Sequence, residues 1–191
     1  MTRFSENVYT WRDLPFKAAD GSIAASCVKR HLRSTYSNNM ASFNLTTQRA
    51  AFDGFATFLT QYPNARGTGH LWEIFGTQGV RAAPDASSAY AHRQNVAVLG
   101  LLQFDYSDAA ITPALEEYGR YWRERYTATS GYDRLYTYPN YARGDEPLQA
   151  LFGYDKQRLE RLRRTKRVYD PKNVFKGYHD VLDAGEGKDW R

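Results

Sequence analysis

Residues 136–141 read Tyr-Thr-Tyr-Pro-Asn-Tyr, and a polar loop and a basic amphipathic segment follow this cluster of tyrosines. Residues 169–175 read Tyr-Asp-Pro-Lys-Asn-Val-Phe and end that segment, because a residue that precedes proline disfavours the helical conformation. Tyrosine offers an apolar ring and a hydroxyl group, so tyrosine clusters are typical of pockets for flat or hydroxylated ligands. The pattern predicts the edge of an active site, followed by the helix that closes the domain.

Three segments carry apolar residues at steps of three and four, which indicates helices with one buried face. Their predicted starts are Thr46 or Thr47, then Thr112, and finally a cap at Asp155. In the first helix the predicted apolar stripe consists of Phe52, Phe55, Leu59 and Tyr62. Gly119 lies inside the second helix, where it costs about 1 kcal/mol relative to alanine, so it marks a close contact.

Four segments have the composition of β-strands: residues 23–32, 71–76, 96–104 and 132–138. Residues 34–46 are polar and turn-rich, which predicts a connection rather than a strand. The resulting order is strand, helix, strand, strand, helix, strand, helix. We therefore predict an α+β domain in which helices cover one face of an antiparallel β-sheet.

Glu73 is the unusual member of the predicted strand at residues 71–76. Strand alternation places Leu71, Glu73 and Phe75 on one face, with Trp72 and Ile74 on the other. A carboxylate among large apolar residues either reaches solvent at a sheet edge or lies in a pocket, where it can bond a reacting group. The residues alone leave both possibilities open.

The chain has 191 residues, of which 42% are hydrophobic and 25% charged, and this composition predicts one globular domain. We assign residues 1–21 to an irregular segment, 22–180 to the domain and 181–191 to a charged tail. The net charge of +5 is concentrated in residues 156–167. Because no nucleic-acid recognition motif accompanies these charges, we predict a solvated or docking face and no nucleic-acid partner.

Several classes of site lack sequence support. The histidines are scattered, so no metal site is predicted, and no glycine-rich dinucleotide motif, P-loop or nucleophile elbow is present. The single cysteine, Cys27, reads as a small buried residue. No apolar run is long enough to cross a membrane, and a native start at Met1 would place the protein in the cytoplasm. Tyrosine remains as a possible acid or base, although its ordinary pKa near 10 requires assistance from its surroundings.

The segment Tyr138-Pro139-Asn140-Tyr141, together with residues 166–175, closely resembles the C-terminal part of the berberine bridge enzyme-like FAD-linked oxidases. Residues 89–93 resemble a segment of the oligosaccharide-oxidase branch, and the strand at 71–76 resembles the family strand that precedes it. The agreement in order and spacing extends over residues 22–180.

This resemblance implies the substrate-binding half of a two-domain flavoprotein, with a final helix that packs on the FAD-binding domain. The family removes a proton from a substrate hydroxyl or carbon, and hydride passes to the flavin and then to oxygen. The FAD-binding domain and its attachment residues are not in this sequence. FAD is therefore expected to bind only with a separate FAD-binding domain or chain as partner.

The resemblance also implies roles for individual residues. Tyr138 or Tyr141 is the catalytic base, with the choice open, and Glu73 assists it. Asn140 and Tyr136 are expected to contact the cofactor. The expected substrate contacts are Trp72, Gln103, Tyr90 and His92.

Two functions remain open from the sequence. In the first, the chain is the substrate-binding portion of an FAD-dependent oxidoreductase that oxidises a small hydroxylated molecule, such as a sugar, an alcohol or a secondary metabolite. In the alternative, it is a standalone truncated member of the family that acts as a non-redox cyclase, isomerase or binding protein.

Overall fold

The computed structural model describes residues 7–17, 29, 31–94, 98–177 and 179–182. The chain divides into two compact units, Met1–His31 and Leu32–Arg191. In the first unit the structure describes a short helix α1, Leu14–Lys17. Cys27 and most of the predicted strand at residues 23–32 lie outside the described residues.

The second unit contains a three-stranded antiparallel sheet in the order β1-β3-β2. The strands are β1 (Leu32–Met40), β2 (Gly69–Ile74) and β3 (Val98–Tyr106). Tyr36 pairs with Leu102 across β1 and β3, and Trp72 pairs with Gly100 across β2 and β3. The α+β prediction is confirmed, and the predicted strands at 71–76 and 96–104 are correct to within two residues.

Two predictions about strands are wrong. Residues 34–46 were predicted as a connection, yet residues 34–40 belong to β1. The last five residues of β1, 36–40, are buried. The polar side chains find partners there, since Asn38 Nδ2 donates to Thr127 Oγ1 at 2.7 Å. Residues 132–138 form no strand, because Thr137 N donates to Ala150 O rather than into a ladder with β1.

The helices of the second unit are α2 (Leu45–Gln61), α3 (Gln78–Ala82), α4 (Thr112–Thr129), α5 (Leu148–Phe152) and α6 (Lys156–Tyr169). Asn44 caps α2 by accepting a bond from Thr47 N at 3.0 Å, so the predicted cap at Thr46 or Thr47 is wrong. Asp155 caps α6 as predicted, accepting from Gln157 N at 2.9 Å. No helix of the described residues is long and apolar enough to cross a membrane.

The hydrophobic core lies between the sheet and the helices α2 and α4. Its buried members are Tyr36, Met40, Ala51, Phe58, Ala65, Val98, Leu102, Phe104, Tyr106, Leu115, Trp122 and Tyr126. Gly119 is a point of close approach, as predicted, because a Cβ atom there would overlap the ring of Tyr36. Phe52 departs from the predicted buried stripe of α2, since 68% of its surface is exposed.

Candidate active site

The segment that contains the tyrosine cluster is held firmly against the sheet. Thr137 is fully buried, and its Oγ1 donates to Ser37 O at 3.1 Å while its backbone N–H donates to Ala150 O at 3.0 Å. A short 3₁₀ turn, Pro139–Tyr141, follows. Beyond the turn, Thr35 Oγ1 donates to Ala142 O at 3.4 Å. Both ends of the turn are therefore attached to the framework of the domain.

An open cavity of about 470 Å³ lies between this turn and the sheet. Its lining residues are Glu73, Phe75, Gly76, Val80, Tyr90, Leu99, Tyr138 and Tyr141. Tyr141 Oη donates to Glu73 Oε1 at 3.3 Å, which joins a phenol and a carboxylate within the cavity. The rings of Tyr138 and Tyr141 meet edge to face, with their centres 5.4 Å apart. The cavity has the size and aromatic character of a small-molecule site.

The electrostatic surroundings of Tyr141 favour its neutral form. Burial raises the pKa of Tyr141, and the negative charge of Glu73 and the hydrogen bond to it raise the pKa further. The phenol is therefore protonated at neutral pH and directs its proton towards Glu73. A hydroxyl group that donates to Tyr141 Oη could lose its proton as the phenol passes its own proton to the carboxylate.

Tyr138 has a different hydrogen-bond partner. Asn140 Nδ2 donates to Tyr138 Oη at 2.9 Å, so the side chain of Asn140 orients the ring of Tyr138. Within the described part of the chain, no carboxylate bonds to Tyr138 Oη, in contrast to Tyr141 and Glu73. The two tyrosines that the sequence could not separate thus differ in surroundings: one is coupled to an acid and the other to an amide.

A second cavity, of about 310 Å³, lies on the other side of the turn. It is lined by Arg33, Ser34, Thr35, Gln103, Pro139, Asn140, Ala142, Arg143 and His179. His179 Nε2 lies 3.2 Å from Pro139 O. Gln103 and Asn140 therefore line this more polar cavity, whereas Glu73 and both candidate bases line the first.

Three predicted contact residues line neither of these two cavities. Trp72 is on the helix-covered face, where its ring centre is 5.3 Å from that of Tyr126. His92 is buried and bonds to Leu151 O through Nε2 at 2.8 Å, and burial lowers the pKa of His92 so that its ring is neutral. Tyr136 packs edge to face on Tyr154.

The ring of Tyr90 lies between His92 and the first cavity. Its ring lines the cavity and contacts the His92 ring at a centre distance of 5.6 Å. Burial raises the pKa of Tyr90, so this side chain also offers a neutral phenol. His92 therefore lies behind Tyr90 and supports its ring, and Tyr136 lies behind His92, with their ring centres 6.5 Å apart.

The sequence analysis missed a charged cluster that holds the loop after Tyr141. Arg123 of α4 bonds to Asp145 Oδ1 at 2.6 Å and to Glu146 Oε1 at 2.9 Å. The Glu146 carboxylate also accepts from the backbone N–H groups of Arg143 and Gly144, at 2.9 and 2.8 Å. An adjacent acidic pair shortly after the tyrosine motif, together with an arginine near the apolar stripe of α4, was the available signal.

The first cavity suits only part of a flavin. Its aromatic walls fit a flat ring system, but a pyrophosphate needs backbone N–H groups or cationic side chains. No lysine or arginine is among the residues that line this cavity in the described part of the chain. The same described residues contain no group of three or more potential metal ligands from histidine, cysteine, aspartate and glutamate.

Comparison with known proteins relates the chain to one family. Residues 137–180 match the family described as berberine and berberine like. FAD-linked oxidoreductase iacH of Pestalotiopsis fici is 33% identical over 180 residues, which are 89% of this chain and 34% of iacH. FAD-linked oxidoreductase fogF of Aspergillus ruber is 34% identical, over 90% of this chain and 34% of fogF. The chain thus spans about a third of the length of these relatives.

Solved structures show the same fold. The Bermuda grass isoallergen BG60 superposes with a TM-score of 0.57 at 17% identity, over 85% of this chain and 36% of the allergen. A variant of Phl p 4 described as a glucose oxidase gives a TM-score of 0.54 at 15% identity, over 82% of this chain and 32% of the variant. The solved structures show the fold, while the match over residues 137–180 and the related sequences relate the chain to the berberine bridge enzyme-like family, in which the curated relatives named here are FAD-linked oxidoreductases.

Proposed function

We propose that this chain is the substrate-binding portion of an FAD-dependent oxidoreductase that oxidises a small hydroxylated molecule, such as a sugar, an alcohol or a secondary metabolite. The observation that carries the proposal is the bond between Tyr141 and Glu73 inside the first cavity. The flavin is held by polypeptide outside this chain. A bound flavin would supply a hydride acceptor for the substrate carbon and would be reoxidised by oxygen.

The chain itself supplies the proton acceptor. The substrate hydroxyl donates to Tyr141 Oη, and the phenol proton moves to Glu73 as the substrate proton arrives. The 3.3 Å separation between Tyr141 Oη and Glu73 Oε1 is long for such a bond. Catalytic hydrogen bonds are often long in the free protein and shorten when the substrate binds. This route makes Tyr141, rather than Tyr138, the base.

The other lining residues bind and orient the substrate. Phe75, Val80 and Leu99 present apolar walls beside the bond between Tyr141 and Glu73. Tyr138, oriented by Asn140, and Tyr90, supported by His92, present neutral phenols and ring surfaces at the rim. Gln103 extends the binding surface into the second cavity.

The test is reconstitution with the part of iacH that lies outside the matched region. We expect no flavin absorbance from this chain alone and oxidase activity, measured as hydrogen peroxide formed, after mixing with that part and FAD. Tyr141→Phe should lower kcat by about 10²–10⁴-fold, because it removes the proton acceptor. Tyr138→Phe, which changes one hydroxyl in the same cavity, is the matched control and should have a much smaller effect.

Three results count against the proposal. Equal losses in Tyr138→Phe and Tyr141→Phe would contradict the assignment of the base. A mixture that binds FAD but oxidises no hydroxylated compound would contradict the oxidase function. Flavin-independent turnover of such a compound by this chain, lost in Tyr141→Phe, would favour a non-redox enzyme instead.

A further inference from the structure

The guanidinium group of Arg93 bonds to two separate segments beside the first cavity. Nη1 donates to Val80 O at 3.2 Å, and Nη2 donates to Ser88 Oγ at 3.0 Å. Val80 belongs to α3 and lines the cavity, whereas Ser88 lies two residues before Tyr90, another lining residue. A single side chain therefore joins two parts of the cavity wall.

The carbonyl group of Val80 has no donor within its own helix. Helix α3 ends at Ala82, and the residue four positions after Val80 is Pro84, which lacks a backbone N–H. Arg93 supplies the bond that the helix cannot form. Because a helix of five residues is unstable on its own, the position of α3 depends on bonds of this kind.

Arg93 also fixes the ring of Tyr90. The Cζ atom of Arg93 lies 5.7 Å from the centre of that ring, within the range of a cation–π contact. Ser88 Oγ, the acceptor of the bond from Arg93, also accepts from the backbone N–H of Tyr90 at 3.3 Å. The orientation of Tyr90 therefore depends on Arg93 as well as on His92.

An ion pair does not account for Arg93. In the described part of the chain, no carboxylate pairs with its half-buried side chain. The Nε atom is buried and has no hydrogen-bond partner among the same residues. The bonds that hold Arg93 are therefore those to the wall of the cavity.

We propose that Arg93 is a positioning residue that holds Val80 and Tyr90 in place as two walls of the substrate site. The inference rests on the proposed function, and it adds a residue that does not itself line the first cavity. Arg93 therefore acts on substrate binding through these walls and not on the reacting atoms. A wall that contacts the substrate equally before and during the reaction contributes to KM and leaves kcat unchanged.

Hydrogen exchange of the chain alone, followed by NMR, tests whether Arg93 holds the walls. Arg93→Gln removes the charge and the forked donor, so exchange at the amides of α3 and of Tyr90 should become about tenfold faster or more. Exchange in the central strand β3 should stay within about twofold, because neither bond of Arg93 reaches that strand. Arg93→Lys keeps the charge but lacks the fork, so it should restore only part of the lost protection.

Arg81→Gln is the matched control, because it removes the same charge from an exposed side chain of α3. It should leave exchange at Tyr90 unchanged. Thermal unfolding of all three variants checks that each of them is folded.

The kinetic test uses the mixture with the part of iacH outside the matched region and FAD. D-glucose serves as a sugar probe, and benzyl alcohol serves as a flat alcohol probe. Arg93→Gln should raise KM about tenfold or more and change kcat by less than about twofold, whereas Arg81→Gln should change neither. This division is opposite to that expected for Tyr141→Phe, which lowers kcat.

Four results overturn the inference. In Arg93→Gln these are unchanged exchange at α3 and Tyr90, equally faster exchange in β3, an unchanged KM for a probe that is oxidised, and a loss of kcat like that of Tyr141→Phe. The first two come from the chain alone, so they decide the role of Arg93 whether or not the mixture is active. An unchanged mixture that oxidises neither probe contradicts the proposed function alone, and hydrogen exchange then decides this inference by itself.

Discussion

Gly119 shows how one missing side chain allows a helix to approach the sheet. A Cβ atom at this position would overlap the ring of Tyr36, which is itself buried in the core. We expect Gly119→Ala to lower the free energy of unfolding by about 1–2 kcal/mol, because the overpacking cost exceeds the roughly 1 kcal/mol gained in helix propensity. Urea unfolding measures the change.

Gly79 in α3 is the matched control, because a Cβ atom there would meet no heavy atom within 4 Å. Gly79→Ala should leave the protein unchanged or stabilise it by up to about 1 kcal/mol. A Gly119→Ala protein that is as stable as the Gly79→Ala protein would show that Tyr36 moves aside without cost.

His70 should make the stability of the protein depend on pH. Burial lowers the pKa of His70 from 6.5 to about 4. In the unfolded chain the same imidazole takes up its proton near pH 6.5. Because the folded state binds this proton only at lower pH, the contribution of His70 to the free energy of unfolding is complete above pH 6.5. This contribution, about 2 kcal/mol after allowance for partial exposure, is lost as the pH falls from 6.5 to 4.

The measurement is the free energy of unfolding of the unchanged protein and of His70→Gln between pH 4 and 8. Carboxylates titrate in both proteins and affect them alike, so the difference between the two curves isolates His70. The difference should be constant above pH 6.5 and narrow below it. Curves that run parallel over the whole range would contradict the lowered pKa.

At the scale of elements, the loop after Tyr141 depends on a buried ion pair with helix α4. The side chain of Glu146 has no exposed surface and receives bonds from Arg123 and from two backbone N–H groups. Glu146→Ala leaves the backbone N–H groups of Arg143 and Gly144 unpaired, while Arg123 keeps its bonds to Asp145, and should lower the free energy of unfolding by about 2–4 kcal/mol. Thermal or urea unfolding measures the loss.

The ion pair between Arg134 and Asp133 is the exposed counterpart. Asp133→Ala should leave the free energy of unfolding nearly unchanged, because water and salt screen exposed pairs. Similar losses in Glu146→Ala and Asp133→Ala would show that the buried cluster does not hold the loop.

Local patterns predicted the elements whose own residues determine their burial. The apolar run at 96–104 and the cap at Asp155 contain their signal within a few residues, and both were correct. The strand β1 could not be found in this way, because its polar residues are buried by distant partners. Asn38 bonds to Arg123 and Thr127 of α4, 85 or more residues away, and the backbone of Ser37 and Asn39 bonds to residues 136 and 137. Tertiary hydrogen bonds thus overrode the local preference of these residues for turns.

The candidate site likewise combines residues that local patterns predict with a contact that only the complete fold creates. Alternation correctly separated Glu73 from Trp72, but it could not show which face the helices cover. Glu73 and Tyr141 are 68 residues apart, so their bond depends on the sheet and on the attachment of Thr137 to β1. The choice between Tyr138 and Tyr141 rests on that bond, and no local pattern contains it.

At the scale of the molecule, the cations of the basic helix α6 fall into two groups, one bonded within the chain and one exposed. Some of its cations stabilise the chain itself: Arg158 is buried and pairs with Asp85, and Arg163 Nε donates to Val181 O at 2.8 Å. Lys156, Arg164 and Arg167 are exposed. The proposed docking face for the flavin-binding polypeptide therefore contains fewer cations than residues 156–167 carry in total. It includes Lys156, Arg164 and Arg167.

The charge double variant Arg164→Glu with Arg167→Glu tests this face. In the mixture with the part of iacH outside the matched region, it should weaken association at least tenfold in 50 mM NaCl. The difference should shrink at 300 mM NaCl, where the Debye length falls to about 6 Å. Calorimetric titration at the two salt concentrations measures both effects.

The control is Arg49→Glu with Arg66→Glu, which makes the same change in net charge at exposed positions outside α6. If attraction depends only on the overall charge of +5, both double variants will bind equally weakly, and α6 is then not the docking face. If α6 docks directly, the control will bind nearly as well as the unchanged chain. Because exposed charges act over little more than one Debye length, only contact with α6 can separate the two variants.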